Sequence, residues 1–317
     1  MLEVLVSQKT LEADGVFSFE LKPTVGEVLP GFSAGAHIDV HLAPGVIRQY
    51  SLCNSPAEQH RYLIGVLDEP ASRGGSRAMH KEILQGHSLH ISEPRNMFPL
   101  KASAKKHLLF AGGIGITPII SMGYELLADG ADFELHYCAR APERTAFLHQ
   151  IQASALATKV QFHFDQLAPA QQLDARAVLA NPRPDVHVYV CGPGGFIEYV
   201  LGTARSCGWS DDQLHREYFT APEVALGLDD SFEVEISGSG LVLNIPKEKT
   251  VVEVLRAAGI DIPTSCEQGI CGSCLTPVLL GIPDHRDQIM SDAEHARNDQ
   301  FTPCCSRAKS RRLVLQI

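Results

Sequence analysis

Cys266, Cys271 and Cys274 stand close together, and Cys304 follows after a gap of 29 residues. The run Ser265-Cys266-Glu267-Gln268-Gly269-Ile270-Cys271-Gly272-Ser273-Cys274 has the Cys-x4-Cys-x2-Cys spacing of a plant-type [2Fe–2S] cluster. Three thiolates share one tight loop and the fourth returns from afar. A segment that must curl three sulfurs around one point cannot be helix or strand. The small residues Gly269, Gly272 and Ser273 let backbone amides approach the cluster sulfurs and offset the cost of half-burying their charge. Structural zinc is disfavoured, because zinc usually takes paired Cys-x2-Cys units and only one is present. Such a cluster accepts single electrons and performs no acid–base chemistry, so the chain is expected to move electrons.

The length of 317 residues allows two or three domains. An apolar fraction of 44% and a charged fraction of 20% are those of an ordinary globular protein. No basic leader or apolar stretch of membrane-spanning length is visible, and the nine cysteines are too dilute for a disulfide scaffold. Cytoplasmic residence is expected. A net charge of −10 without a basic stripe argues against nucleic-acid binding. The fourteen histidines are dispersed, so each reads as a surface or satisfied core residue rather than a metal ligand.

Three segments differ in periodicity. Up to about residue 100, short alternating runs (2–6, 16–21, 37–42, 62–67 and 88–91) broken by Gly and Pro predict an antiparallel β-barrel. Apolar strands at 107–111, 133–138, 160–164 and 186–190, separated by helical spacers, predict an α/β domain with a parallel sheet. A hairpin at 232–245 and a helix from Val251 to Ala258, capped by Thr250 and Glu253 and ended by Gly259, precede the cysteine loop. The expected boundaries are residues 1–102, 103–222, a linker at 223–230, and 231–317.

Each of the first two segments carries binding chemistry. Arg48-Gln49-Tyr50-Ser51 offers a cation for a phosphate, an aromatic face for a ring and a hydroxyl. Arg73-Gly74-Gly75-Ser76 offers a guanidinium and glycine-flanked amides, with Ser76 near a helix start, as in a phosphate nest. Together they describe a site for a phosphorylated planar cofactor. Gly112-Gly113-Ile114-Gly115-Ile116-Thr117-Pro118 follows an apolar strand and opens a helix, with Pro118 expected in its first position. Cys191-Gly192-Pro193-Gly194-Gly195 ends another strand. Ligands of open α/β sheets bind at the carboxyl ends of the strands, so both loops should face one crevice and hold a nicotinamide dinucleotide.

On these motifs the chain resembles the ferredoxin–NADP reductase superfamily. With the ferredoxin segment at the C-terminal side, it is similar to the phthalate dioxygenase reductase branch, to which vanillate O-demethylase reductases belong. The resemblance implies FMN held by Arg48, Gln49, Tyr50 and Ser51, with Arg73, Gly74, Gly75 and Ser76 around its phosphate. Gly65, Val66 and Leu67 would lie beside the flavin, and Phe219 or Thr220 would cover it. Gln49 departs from the branch's small hydroxylic residue. NADH would lie on Gly112, Gly113, Gly115, Gly192 and Pro193, with Cys191 beside the nicotinamide and Thr117 approaching the flavin as the catalytic positions. Cys266, Cys271, Cys274 and Cys304 would be the cluster ligands, and the C-terminal domain a β-grasp. FMN is preferred to FAD because a guanidinium such as Arg73 suits a terminal phosphate dianion. NADH is preferred to NADPH by resemblance, with Arg140, Pro142, Glu143 and Arg144 at the discriminating position.

The implied activity is electron transfer from NADH through FMN and the cluster to the Rieske-type oxygenase of an aromatic-acid dioxygenase or O-demethylase system. Arg307, Lys309, Arg311 and Arg312 form a basic tail that could dock it, and a monomer is expected. The alternatives are a redox-sensing iron–sulfur flavoprotein and a flavin reductase acting directly on a small molecule.

Overall fold

The computed structural model describes residues 1–26, 28–42, 46–69, 74–168, 171–220 and 230–317. Arg73 and nearly all of the expected linker lie outside these residues. The chain forms two compact units, Met1–Glu217 and Tyr218–Ile317.

The first unit opens with β1 (Leu2–Ala13), β2 (Val16–Pro23), β3 (Ala36–His41), β4 (Ile47–Ser51), β5 (Tyr62–Leu67), β6 (Ser88–Ile91) and β7 (Arg95–Asn96). Their antiparallel order is β4-β3-β6-β1-β2-β5, with β7 beside β3. An antiparallel bridge between Leu52 and Ile64 brings the two ends together. Alternation puts Val4, Val6, Phe19, Leu21, Ile38, Val40 and Ile64 in one core. A short helix, α1 (Gly75–Lys81), lies in this half. Lys9 secures its end by donating to the carbonyls of Met79, His80 and Ile83 at 3.2, 2.7 and 2.8 Å.

The second half of this unit holds β8 (Lys106–Gly112), β9 (Asp132–Ala139), β10 (Val160–Phe164), β11 (Val186–Cys191) and β12 (Leu214–Glu217). They form a parallel sheet of order β10-β9-β8-β11-β12. The interleaved helices are α2 (Ile116–Ala128), α3 (Leu148–Gln152), α4 (Ala175–Leu179) and α5 (Gly194–Ser206). Pro118 is the third residue of α2 rather than the first. That position is tolerated because the first four amides of a helix have no intrahelical partner. The edge strand β12 was not expected, since Leu214-His215-Arg216-Glu217 has one apolar residue and pairs on one side only.

The second unit contains β13 (Phe232–Ile236), β14 (Val242–Ile245), α6 (Val251–Ala257), β15 (Thr276–Leu280), β16 (Pro283–Asp284), α7 (Asp292–Arg297), β17 (Gln300–Phe301), β18 (Arg307–Ala308) and β19 (Arg312–Leu315). Its sheet runs β14-β13-β19-β15-β17, with β13 and β19 parallel. Val251 and Leu255 of α6 pack into the same core as Val234, Leu313 and Leu315, giving a β-grasp. The expected capping box is present: the Glu253 amide donates to Thr250 Oγ1 at 3.2 Å, and the Thr250 amide to Glu253 Oε2 at 2.7 Å. The basic tail needs correcting at Arg307. It is only 3% exposed, its guanidinium lies over the Phe232 ring, and it donates to the carbonyls of Asp230, Pro246 and Lys249. It braces the fold and offers no charge to a partner.

The histidines are less dispersed than they read in sequence. His136 stacks on Phe110 and lies 3.1 Å from the ring nitrogen of His163 on the neighbouring strand. His187 and His215 are joined in the same way at 2.9 Å. Burial lowers His136 and His215 to about 4, each opposed further by the neighbouring imidazole. The fold holds these rings neutral, so below an ordinary histidine pKa of about 6.5 the unfolded chain takes up protons that the fold refuses. Stability should therefore fall as pH drops from about 6.5 towards 4, by on the order of 1–3 kcal/mol per ring. The single tryptophan, Trp209, is buried in this half and donates to Leu179 O at 2.8 Å. Urea unfolding followed by its fluorescence should show a lower midpoint at pH 5 than at pH 7. The difference should shrink in His136→Gln, and an unchanged difference would refute the assignment.

Candidate functional sites

Glycines with no room for a side chain set the geometry of the first site. A Cβ on Gly115 would lie 2.3 Å from the Cys191 carbonyl oxygen and 2.5 Å from the Gly192 nitrogen. One on Gly192 would meet Gly112 Cα at 2.9 Å, and one on Gly112 would meet Phe196 and Pro193. The β8–α2 and β11–α5 loops are thus in backbone contact at the carboxyl ends of adjacent strands, where ligands of open α/β sheets bind. Gly113, at φ 54°, has open space around it, and so do Gly194 and Gly195 at the start of α5. The exposed start of α5 suits a pyrophosphate.

The barrel supplies the facing wall. A Cβ on Gly65 would lie 2.8 Å from Thr117 Cγ2 and 3.2 Å from the Phe147 ring, so β5 presses directly on the start of α2. Gly75 is equally crowded by the Arg48 side chain, at 2.4 Å. The two motifs read separately in the sequence therefore meet, with Gly74 at φ 93° and Ser76 beside them. The Tyr50 hydroxyl is buried without a hydrogen-bond partner among the described residues, a vacancy that a flavin's polar edge would fit. The Gln49 amide donates to Asp39 Oδ1 at 3.1 Å on the paired strand. The Val66 carbonyl lies 2.9 Å from His80 Nε2, while Leu67 ends the strand. Phe219 and Thr220 belong to the second unit.

One residue in this site was missed in the sequence. Glu217 ends β12 directly opposite Cys191 in the parallel register. Its Oε2 accepts from Ser51 Oγ at 3.2 Å and lies 4.0 Å from Cys191 Sγ. Burial pushes the carboxyl up to about 8, against the opposing hydrogen bond from Ser51. Burial, then the nearby Glu217, pushes the Cys191 thiol well above its ordinary range. At neutral pH the site therefore presents an uncharged carboxylic acid, a thiol and a hydroxyl to whatever lies between Ser51 and Cys191. A short polar edge strand with a terminal acid carries no sequence signal; only the register reveals it.

In the second unit the cysteine loop curls through positive φ at Glu267, Gly269 and Gly272 (53°, 76° and 68°). The Gln268 amide points at Cys266 Sγ from 3.3 Å and the Ser273 amide at Cys271 Sγ from 3.4 Å. The Cys266 and Cys271 thiols lie within hydrogen-bonding reach of each other, and Cys304 within reach of both Cys274 and Cys305. Cys271, Cys274 and Cys304 are buried. Two close sulfur pairs, Cys266 with Cys271 and Cys274 with Cys304, with amides turned towards the first, fit a cluster of two irons.

Known proteins resemble the chain along its whole length. Residues 234–309 match the family model of the 2Fe-2S iron-sulfur cluster binding domain. The chain is 54% identical over 317 residues to the vanillate O-demethylase oxidoreductase of a Pseudomonas species, covering 100% of both chains. It is 38% identical to the phthalate dioxygenase reductase of Burkholderia cepacia, covering 100% of this chain and 97% of the other. A solved phthalate dioxygenase reductase, described as a modular structure for electron transfer from pyridine nucleotides to [2Fe–2S], superposes with a TM-score of 0.74. It is 38% identical, with 100% and 98% of the chains covered. No helix among the described residues is long and apolar enough to cross a membrane. With full-length identity of this order, the chain belongs to the family of vanillate O-demethylase oxidoreductases and phthalate dioxygenase reductases, and is an oxidoreductase.

Proposed function

We propose that the chain is the reductase component of a two-component oxygenase, carrying electrons from NADH through FMN to a [2Fe–2S] cluster and on to a Rieske-type oxygenase. The observation that carries this reading is that a buried cluster of Ser51, Cys191 and Glu217 and a three-cysteine loop approached by Cys304 occur on one chain. FMN, when bound, supplies the exchange between two-electron and one-electron chemistry. The chain's own residues bind, orient and exclude water. Arg48, Gly74, Gly75 and Ser76, with Arg73, are assigned to the flavin phosphate, and Gln49, Tyr50, Ser51, Gly65, Val66 and Leu67 to the ring's surroundings. Gly112, Gly113, Gly115, Gly192 and Pro193 are assigned to the dinucleotide. Thr117 and Cys191 set the approach of nicotinamide to flavin, and Glu217 fixes Ser51 beside them. Cys266, Cys271, Cys274 and Cys304 are the assigned cluster ligands.

The 54% identity with a vanillate O-demethylase oxidoreductase favours an aromatic-acid oxygenase as the acceptor. A cytoplasmic monomer is the simplest setting, in keeping with nine cysteines that form no disulfide among the described residues. The domain limits adopted are 1–102, 103–222 and 231–317, with 223–230 as linker.

The direct test is an anaerobic absorption spectrum before and after NADH. Flavin and cluster bands should bleach together, and kcat/KM should be higher for NADH than for NADPH. A colourless zinc protein would overturn the proposal. Cys304→Ser should abolish NADH-driven cytochrome c reduction while NADH still bleaches the flavin; persistence of cytochrome c reduction would instead favour the direct flavin reductase. Gly115→Ala, which drives a methyl into the Cys191 carbonyl, should lower kcat/KM for NADH on the order of 100-fold. The cluster spectrum should remain intact.

Glu217 makes a further prediction about pH. Its raised pKa means that the fold holds a proton which the unfolded chain releases near pH 4.5, so its stability contribution is lost as pH rises from about 4.5 to about 8. Because the residue is only half-buried, the loss is discounted to about 1–2 kcal/mol. Glu217→Gln keeps the hydrogen bond without the charge, and its stability relative to the parent should rise across that range. A constant difference in urea midpoint between pH 5 and 8 would contradict the assignment.

A further inference from the structure

His285, Asp287 and His295 lie together in the second unit, and none of them belongs to the cysteine site. One ligand atom from each falls within 4.8 Å of the others. His295 Nε2 is 3.2 Å from Asp287 Oδ1 and 3.3 Å from Oδ2, and His285 Nδ1 is 4.0 Å from Oδ1. The Asp287 side chain is fully buried and also accepts from the Met290 amide at 2.9 Å and from Thr302 Oγ1 at 3.5 Å.

His285 is the unexplained member. Its side chain is 8% exposed, and neither ring nitrogen has a well-formed hydrogen bond among the described residues; burial, then the His295 ring, lowers its proton affinity against the smaller pull of Asp287, Asn298 and the His295 backbone. A buried polar atom left unsatisfied is costly, so such groups are rarely left without a reason. Hydrogen bonding among the three residues accounts for His295 and Asp287 but leaves His285 idle.

We propose that His285, Asp287 and His295 form a second metal site, for a divalent ion of the zinc type, beside the cysteine loop. Two imidazoles and a carboxylate suit zinc, whereas calcium and magnesium prefer all-oxygen shells. The two rings stack with centroids 4.5 Å apart and planes at 17°, so their lone pairs do not yet converge. Closing the site requires the His285 ring to turn, and it has no hydrogen bond to break in doing so. All three ligands fall in an 11-residue stretch from β16 to α7. The Gln288 amide within it donates to Gly269 O at 2.9 Å, so the metal would brace the segment that backs the cysteine loop.

The test is zinc retention by the flavin- and cluster-loaded protein. After incubation with zinc and gel filtration, metal analysis should find about one zinc per chain with iron content unchanged. His285→Ala and His295→Gln should retain none; the second keeps a donor towards Asp287 and so spares the local fold. His60→Ala, at an exposed histidine of the barrel, should behave like the parent. Absence of zinc from the parent would mean that water satisfies His285. Retention by either site variant would place the zinc elsewhere, and uptake with loss of iron would place it on the cysteines. Each of these results overturns the proposal.

Discussion

The backbone contact between Gly115 and Cys191 governs the first unit. No side chain larger than hydrogen fits there, with only 2.3 Å available to a Cβ. The contact fixes the separation of the β8–α2 and β11–α5 loops, and with it the width of the crevice that both helix N-termini face. It also fixes Cys191 against α2. Because Cys191 pairs in register with Glu217, the same contact sets where that carboxyl meets Ser51 from the barrel. A single close approach thus orders residues from both halves of the unit.

The chemistry then follows from what the site lacks. Hydride transfer needs two rings held face to face in a dry space and no proton donor in flight. A charged wall would draw water into that space. Here burial keeps both the Glu217 carboxyl and the Cys191 thiol protonated at neutral pH, so they act by shape and hydrogen bonding. The groups proposed for the phosphates stand elsewhere, at the start of α5 and where Arg48 lies over Gly75. Charge recognition and redox chemistry are separated by the fold itself.

Most of this was legible wherever chemistry was written into contiguous residues. The cysteine loop, the glycine turns and the Thr250–Glu253 cap each carry their signal within ten residues, and periodicity separated barrel from parallel sheet. Contacts made only by register were not legible. Glu217 ends a polar edge strand that no apolar run announces, and its partners are 26 and 166 residues away. His136 and His163, paired across neighbouring strands 27 residues apart, looked scattered for the same reason. Arg307 read as part of a solvated basic tail because sequence cannot show that three carbonyls and the Phe232 ring enclose it.

The Cys304-Cys305 doublet shows how packing decides between adjacent residues of identical chemistry. Gly269 turns the cysteine loop at φ 76°, and a Cβ there would lie 2.4 Å from Cys305 Sγ. Cys305 therefore packs against the loop backbone at Gly269, with Thr302 Oγ1 at 3.2 Å from its sulfur. Cys304 is buried with Cys274 and Val252 in one apolar cluster. This difference in surroundings supports the proposed assignment of Cys304 as the fourth ligand. A thiol already packed against Gly269 and engaged by Thr302 would have to leave both to join the set, whereas Cys304 already lies within reach of Cys274.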